Sequence, residues 1–305
     1  MSGTTPRGDG LLARLSAQAE RAQTHFAPTI DPQRSLAARR EITAFLADRL
    51  DELCTSAGLD DPRQDDVGLP QPAAAPQVFT FWNSPVPTAP PLVRACLAQL
   101  HRMHPDAIVL DPVTVRDWID VPSFVWHLLD SGRVAHFADY VRVALLERHG
   151  GFWVDATCYV PGRLQERIAP LLSAGMLYPR WSGRQISNWF IATSGPRHPL
   201  ISLQRAALEA WWRERDDLPD YFLYHRVFES LLSLVPEARR SWRRVPHLGS
   251  LPAHLLQAAM YRPYDPDECA LILDASPIHK LSYKYDAGSV PPASILARLV
   301  AGEPL

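Results

Sequence analysis

Nowhere does this 305-residue chain hold an uninterrupted apolar run of the roughly eighteen residues that a membrane-crossing helix needs, so no membrane span is expected. Its first residues, Met1-Ser2-Gly3-Thr4-Thr5-Pro6-Arg7, carry no apolar signal-peptide core, and a cytoplasmic chain is expected. Cysteine is scarce. Cys54, Cys96, Cys158 and Cys269 are widely separated and include no Cys-x-x-Cys pair, which argues against a zinc ribbon or a disulfide framework and leaves reduced, mostly buried thiols. Charge of one sign is not in excess either: 31 basic residues stand against 33 acidic ones, a formal net charge of −2. With no long basic block, counterion-driven nucleic-acid binding is not indicated. Internal repeats are lacking, and the single biased segment is a short linker.

What is there suits a compact α/β protein. A content of 47% apolar residues supplies the core of one large domain with an appendage. Leu11 to Phe26 and Ser35 to Ala57 read as amphipathic helices, and Asp60 to Gln77 is rich in Asp, Pro, Gly and Gln, a linker composition. The division is therefore 1–76, an N-terminal helical extension and linker, and 77–305, an α/β domain. That domain opens with strand Val78–Trp82, helix Leu92–Met103 and strand Ala107–Leu110. Helices follow near Val113–Ile119, Ser123–Leu129, Leu164–Ser173, Leu200–Arg213 and Tyr221–Leu234, with strands near Ile186–Thr193 and Leu271–Leu273.

The most informative stretch runs from residue 134 to 157. Val134, Phe137, Ala138, Val141 and Leu145 form a helical apolar stripe, while Ala135, Asp139, Arg142 and Leu146 share a neighbouring face. A carboxylate and a guanidinium thus lie side by side among apolar groups. Gly150-Gly151 ends the helix, since glycine accepts the left-handed conformation such an end needs, and Phe152-Trp153-Val154 follow as a strand. Asp155 falls at that strand's C-terminal end, where α/β sheets hold their ligands. Plainer accounts exist for each feature alone: an i,i+3 ion pair contributes about 0.2–0.5 kcal/mol in an isolated helix, and a strand-end aspartate often caps a turn. The joint spacing carries the functional reading.

The run His136-Phe137-Ala138-Asp139-Tyr140-Val141-Arg142, through Gly150-Gly151-Phe152-Trp153-Val154-Asp155-Ala156-Thr157, resembles the GT-A-fold glycosyltransferases of the capsular polysaccharide synthesis type. The resemblance extends to related sugar transferases with a DXD motif and to the glucosylating toxins. It implies a GT-A, Rossmann-like fold and a nucleotide-sugar donor. In that group the helix aspartate and arginine hold donor-sugar hydroxyls, which assigns Asp139 and Arg142, and an Asp-x-Asp at the strand end binds ribose and a divalent metal. The sixteen-residue interval from Asp139 to Asp155 fits, but Thr157 stands where the second carboxylate would be. Manganese or magnesium is implied, with Asp155 as the main ligand and Thr157 and His279 beside it.

Trp82 ends the first strand, before Asn83-Ser84-Pro85-Val86-Pro87. An aromatic at a sheet's C-terminal edge can stack on a nucleobase, a contact of about 1–3 kcal/mol. Related transferases use a tryptophan in a similar Phe-x-Trp strand in this way, and a core tryptophan is the alternative. Near the C-terminus, Ser276-Pro277-Ile278-His279-Lys280-Leu281-Ser282-Tyr283-Lys284 gathers an imidazole, amines and hydroxyls. Such a loop can complete a pyrophosphate site or be merely solvated. The resemblance implies the former, with Lys280, Ser282 and Lys284 toward the phosphates. Asn188-Trp189-Phe190 and Asp220-Tyr221 with His225 also resemble stretches of these enzymes. Asn188 is assigned to a donor hydroxyl or the anomeric carbon, Asp220 and His225 to the acceptor; a helix cap and a satisfied helix histidine are the structural alternatives.

The reaction implied is sugar transfer from a nucleotide donor, expected to be uridine-linked, to a hydroxyl of a glycan or other acceptor, with retention and metal assistance. Two other readings are kept. A nucleotidyltransferase could use a similar sheet but usually needs a glycine-rich phosphate loop, where this chain has Asn83-Ser84-Pro85-Val86-Pro87. A non-catalytic sugar-nucleotide-binding module or degenerate transferase is kept open by Thr157.

Overall fold

Short runs of β-branched and aromatic residues, alternating after residue 76 with longer amphipathic segments, assemble a five-stranded mixed sheet flanked by helices. The computed structural model describes residues 6–26, 32–59, 76–183 and 185–305. The expected linker therefore lies outside the described residues, apart from Pro76 and Gln77.

The chain opens with α1 (Pro6–Phe26), α2 (Pro32–Ala47) and α3 (Leu50–Ser56). The first half of the sheet comes from β1 (Val78–Phe81), α4 (Pro91–Met103), β2 (Ile108–Leu110), α5 (Ser123–Asp130), α6 (Val134–His149) and β3 (Gly151–Val154). Next come β4 (Cys158–Tyr159), α7 (Leu164–Ile168), β5 (Met176–Leu177), β6 (Pro179–Ser182), β7 (Gln185–Ile186), β8 (Phe190–Thr193), α8 (Pro199–Glu214), α9 (Leu223–Leu234) and α10 (Pro236–Arg244). The chain ends with β9 (Leu248–Gly249), α11 (Ser250–Ala253), α12 (Leu255–Ala259), α13 (Pro266–Asp274), β10 (His279–Lys280) and α14 (Ile295–Val300). None of the described helices is long and apolar enough to cross a membrane. The four cysteines form no disulfide.

The main sheet has the order β2-β1-β3-β8-β5. β1 runs parallel to both β2 and β3, with Phe79 opposite Ile108 on one side and Trp153 on the other, whereas β8 is antiparallel to β3 and β5. Because the chain leaves β1 to one side for β2 and returns to the other side for β3, the C-terminal ends of β1 and β3 border a crevice of the kind that holds ligands in open α/β sheets. Trp82 and Asp155 stand at those two ends. Two small sheets sit beside it: β10 pairs with β4, and β6 lies between β7 and β9.

The glycine pair makes the α6–β3 junction possible. Gly150 has φ 68 and ψ −161, an extended positive-φ conformation essentially reserved for glycine rather than the left-handed helical one expected. Gly151 has φ 90, and a Cβ there would lie 2.2 Å from the Gln77 carbonyl oxygen. That close approach lets Phe152 donate its amide to Gln77 at 2.8 Å, seating β3 against the start of β1. α6 packs against α5 and α8 as well as the sheet, so it is buried nearly all round, Asp139 and Arg142 included.

Three expectations change. The single helix expected over Ser35–Ala57 is two, broken at Asp48-Arg49, where Arg49 returns a hydrogen bond to the Phe45 carbonyl and reaches Glu214; the break lets α3 pack on α8 while α2 packs on α9. The expected strand Leu271–Leu273 lies in α13: Asp265 caps it by accepting from Glu268 N at 2.9 Å, Pro266 starts it, and Cys269 and Ile272 bury one face at helical spacing. The strand expected over Ile186–Thr193 is interrupted, and Asn188 falls in the turn between β7 and β8. The N-terminal helices share the cores: Leu11 and Leu15 of α1 pack with Leu255, Leu256 and Ile272, and Ile42, Phe45 and Leu46 of α2 join the main cluster.

Candidate active site

α6 carries its two opposite charges into the interior, where Asp139 is 8% exposed and Arg142 5%. Burial at such depth is tolerated only when the groups are paired. Arg142 Nη1 lies 2.7 Å from Asp139 Oδ1, one turn away on the helix, and Asn188 Nδ2 donates to the same oxygen at 2.8 Å. Through Nη2, Arg142 reaches Asp155 Oδ1 at 3.4 Å, while its guanidinium carbon sits 5.2 Å from the Trp153 ring centre and 5.7 Å from that of Tyr224. Behind these groups the Tyr178 and Tyr224 hydroxyls hydrogen-bond each other.

Asp155 joins this cluster to the C-terminal segment. Its Oδ1 accepts from Trp153 Nε1 at 2.9 Å, and its Oδ2 accepts from Lys280 Nζ at 2.8 Å. Lys280 Nζ also donates to Thr157 Oγ1 at 2.7 Å. Backbone pairing holds the lysine there: β10 runs antiparallel to β4 with Lys280 opposite Cys158, and Leu281 N donates to the Thr157 carbonyl at 3.0 Å.

The charges sustain one another. Burial opposes ionisation of Asp155, yet Lys280 and Arg142 outweigh it and hold the carboxyl below its ordinary pKa. Burial likewise opposes the Lys280 and Arg142 cations, yet Asp155 raises the lysine, and Asp139 with Asp155 raises the arginine. Asp155 thus stays a carboxylate beside two cations.

Asp139, Arg142, Asp155, Asn188 and Lys280 line a cavity of about 520 Å³, of the size that holds small-molecule ligands. Aromatic side chains line it as well: Trp181, Trp189, Tyr221 and Phe222. His225 and His254 also line it, and burial pushes the pKa of each imidazole down to about 4, so both are neutral. Trp181 stacks on His254 with ring centres 5.2 Å apart.

Of the residues singled out from sequence, Asp139, Arg142, Asp155, Asn188, Lys280 and His225 line the cavity. Thr157 touches it through Lys280. The others lie elsewhere. Trp82 is half-buried against Ala89, Val93, Leu97 and Ala156, edge-on to Tyr283 at 5.5 Å, and its indole N–H has no hydrogen-bond partner. Asp220 sits behind the wall, where Oδ2 accepts from Arg226 Nε at 2.9 Å and Oδ1 from Phe222 N at 3.0 Å. Ser282 Oγ accepts from the Lys284 amide at 3.3 Å, and the Lys284 side chain is exposed.

His279 points the opposite way from Lys280, as neighbours on a strand must, and its Nε2 meets the Leu273 carbonyl at 3.3 Å. Burial pushes its pKa to about 4. As arranged, the expected metal ligands do not fit a divalent ion: one ammonium engages both Asp155 and Thr157, and His279 faces away. Among the described residues no group of three or more His, Cys, Asp or Glu comes together as a metal site.

Sequence reasoning missed several residues on the cavity or behind it. Trp153 sits two positions before Asp155 and so on the same face of the strand, a signal that was available. His254 and Trp181 carry no local pattern that marks them, and Tyr221 enters the sequence reading only as the neighbour of Asp220. His136 lies on the face preceding Asp139, with Nδ1 3.5 Å from Asp139 Oδ2.

Residues 33–299 match the family model described as capsular polysaccharide synthesis protein. Among solved structures the chain is similar to a PaToxG glycosyltransferase, with 13% identity, a TM-score of 0.39, and coverage of 79% of this chain and 95% of that one. No curated protein matches the chain.

Proposed function

The chain belongs to the capsular polysaccharide synthesis protein family, and from that premise we propose that it is a GT-A-type glycosyltransferase acting on a nucleotide-sugar donor, with uridine as the base and a glycan hydroxyl as the acceptor. The observation that carries this reading is the hydrogen-bonded chain Asn188–Asp139–Arg142–Asp155–Lys280, lining a cavity at the C-terminal end of β3. Such a lining offers both kinds of recognition that a sugar diphosphate requires: oriented acceptors and donors for hydroxyls, and fixed cations for phosphate.

Asp139, held by two donors, and Arg142 orient the sugar. Lys280 and Arg142 face the diphosphate. As the bond from the anomeric carbon to the β-phosphate oxygen breaks, its electron pair passes to that oxygen, and the acceptor hydroxyl oxygen bonds to the same carbon. The hydroxyl proton passes to the departing phosphate. Asp139 and Asp155 are each tied to cations and hydrogen bonds, so neither is a free nucleophile, which supports attack from the face the diphosphate leaves and hence retention. Residues 77–305 form the transferase unit, with 1–76 as an extension. A thermal-shift and donor-hydrolysis screen of uridine- and guanosine-linked sugars tests the reading, because a ligand of the folded state raises the melting temperature and a transferase leaks sugar to water. The absence of both stabilisation and hydrolysis with every sugar nucleotide in the screen would overturn it.

A further inference from the structure

Lys280 occupies the position that the strand-end motif would otherwise present to a metal. Its Nζ lies 2.8 Å from Asp155 Oδ2 and 2.7 Å from Thr157 Oγ1, so the carboxylate and the hydroxyl that replaces the motif's second carboxylate converge on one ammonium. An ammonium carries three N–H donors, and two are committed here. The side chain lines the cavity and is 22% exposed, so the remaining donor is available to a ligand.

The substitution at Thr157 fits this arrangement. A second carboxylate beside Asp155 would leave excess negative charge around a single ammonium, whereas a hydroxyl accepts the hydrogen bond without adding charge. Among the charged side chains of the network, Asp139 and Asp155 are balanced by Arg142 and Lys280. A divalent ion placed on Asp155 Oδ2 and Thr157 Oγ1 would have to expel Lys280, and β10 is anchored by its pairing with β4.

We infer that the Lys280 ammonium is the resident cation of the donor site, holding the diphosphate of the sugar nucleotide and taking up the charge of the leaving group without a divalent metal between Asp155 and Thr157. The inference rests on the sugar-nucleotide reading above. Lys280 keeps its own protons throughout; it supplies charge and one hydrogen bond to the phosphate oxygen that receives the electron pair.

Titration calorimetry of the full chain with uridine diphosphate, in chelator and in manganese, tests it without relying on turnover. Wild-type affinity should be the same in both conditions. In chelator, Lys280→Gln should weaken binding by about tenfold or more, the loss expected for a hydrogen bond to a charged group. Manganese should then strengthen binding in that variant, because the substitution releases Asp155 Oδ2 and Thr157 Oγ1, and such a gain cannot come from a misfolded chain. Wild-type binding that requires manganese would overturn the inference and leave the transferase reading intact, as would unchanged affinity of Lys280→Gln in chelator. Wild-type protein that binds no uridine or guanosine diphosphate in either condition would overturn both.

Discussion

Asn188 donates its side-chain amide to Asp139 Oδ1 at 2.8 Å, joining the turn after β7 to the middle of α6. The same oxygen receives Arg142 Nη1 at 2.7 Å, so its direction is set from two sides. Asn188→Ala should lower kcat/KM by about tenfold through loss of one charge-assisted hydrogen bond. Asn188→Asp should be worse, since it sets a carboxylate against a carboxylate in a half-buried place. Steady-state kinetics of the two variants, with unfolding curves to show that both fold, give the order. If Asn188→Asp is the more active, the amide is not what positions Asp139.

Arg142 uses separate nitrogens for Asp139 and Asp155. Arg142→Lys keeps the charge but loses the planar fork, and transfer should fall by at least about tenfold. Wild-type turnover over a range of donor concentrations would remove Arg142 from the site.

Trp82 does not line the cavity, yet it stands at the crevice end of β1 with an unpartnered indole N–H. If it receives the base, Trp82→Ala should weaken uridine diphosphate and full donor alike by about 1–3 kcal/mol. Trp82→Phe, which keeps a ring face, should recover most of that. Unchanged calorimetric affinity in a folded Trp82→Ala returns the side chain to the apolar cluster it touches.

Gly151 has φ 90, and a Cβ there would meet the Gln77 carbonyl at 2.2 Å, whereas Gly132, at φ 76, has nothing within 4 Å. Both alanine variants incur backbone strain of about 1–3 kcal/mol, but Gly151→Ala must also displace β1 from β3. Denaturant unfolding should show Gly151→Ala as clearly the less stable. Equal midpoints would mean the strand junction is softer than it looks.

Burial pushes His198, His225, His254 and His279 down to about 4 from the ordinary 6.5. The folded state therefore binds fewer protons than the unfolded state between those two values. Stability is full above the ordinary histidine pKa and is lost as pH falls toward 4, each such histidine adding a slope of about 1.4 kcal/mol per pH unit. His198, bonded to the Ala174 carbonyl, is not on the cavity wall. His198→Gln should remove one proton's share of that slope, read from unfolding free energies at several pH values. An unchanged slope would show that the His198 imidazole is already charged in the folded chain.

Local repetition made part of this legible. The spacing of Asp139 and Arg142 on one helical face, the end of that helix at the glycine pair, and the placing of Asp155 at a strand end all follow from chain geometry over a few residues, and the structure reproduces them. The same local rules misread Leu271–Leu273, because three consecutive apolar residues suit a buried strand or one face of a helix equally, and the Asp265 cap lies outside that window. Asn188 shows the limit from the other side: its own stretch looked like strand, and its turn exists because β7 and β8 belong to different sheets.

The meeting of Lys280 with Asp155 and Thr157 belongs to another level. They are 125 and 123 positions apart, and what joins them is the register of β10 on β4, which also turns His279 away. Sequence by itself determined which side chains are charged, which must share a helix face and where the helix ends at glycine, because those depend on periods of two and 3.6 residues and on the conformational freedom of a residue without a Cβ. Only the tertiary structure decided that a lysine, rather than an imidazole, stands beside the strand-end aspartate, because a shift of one residue in that pairing would exchange their faces.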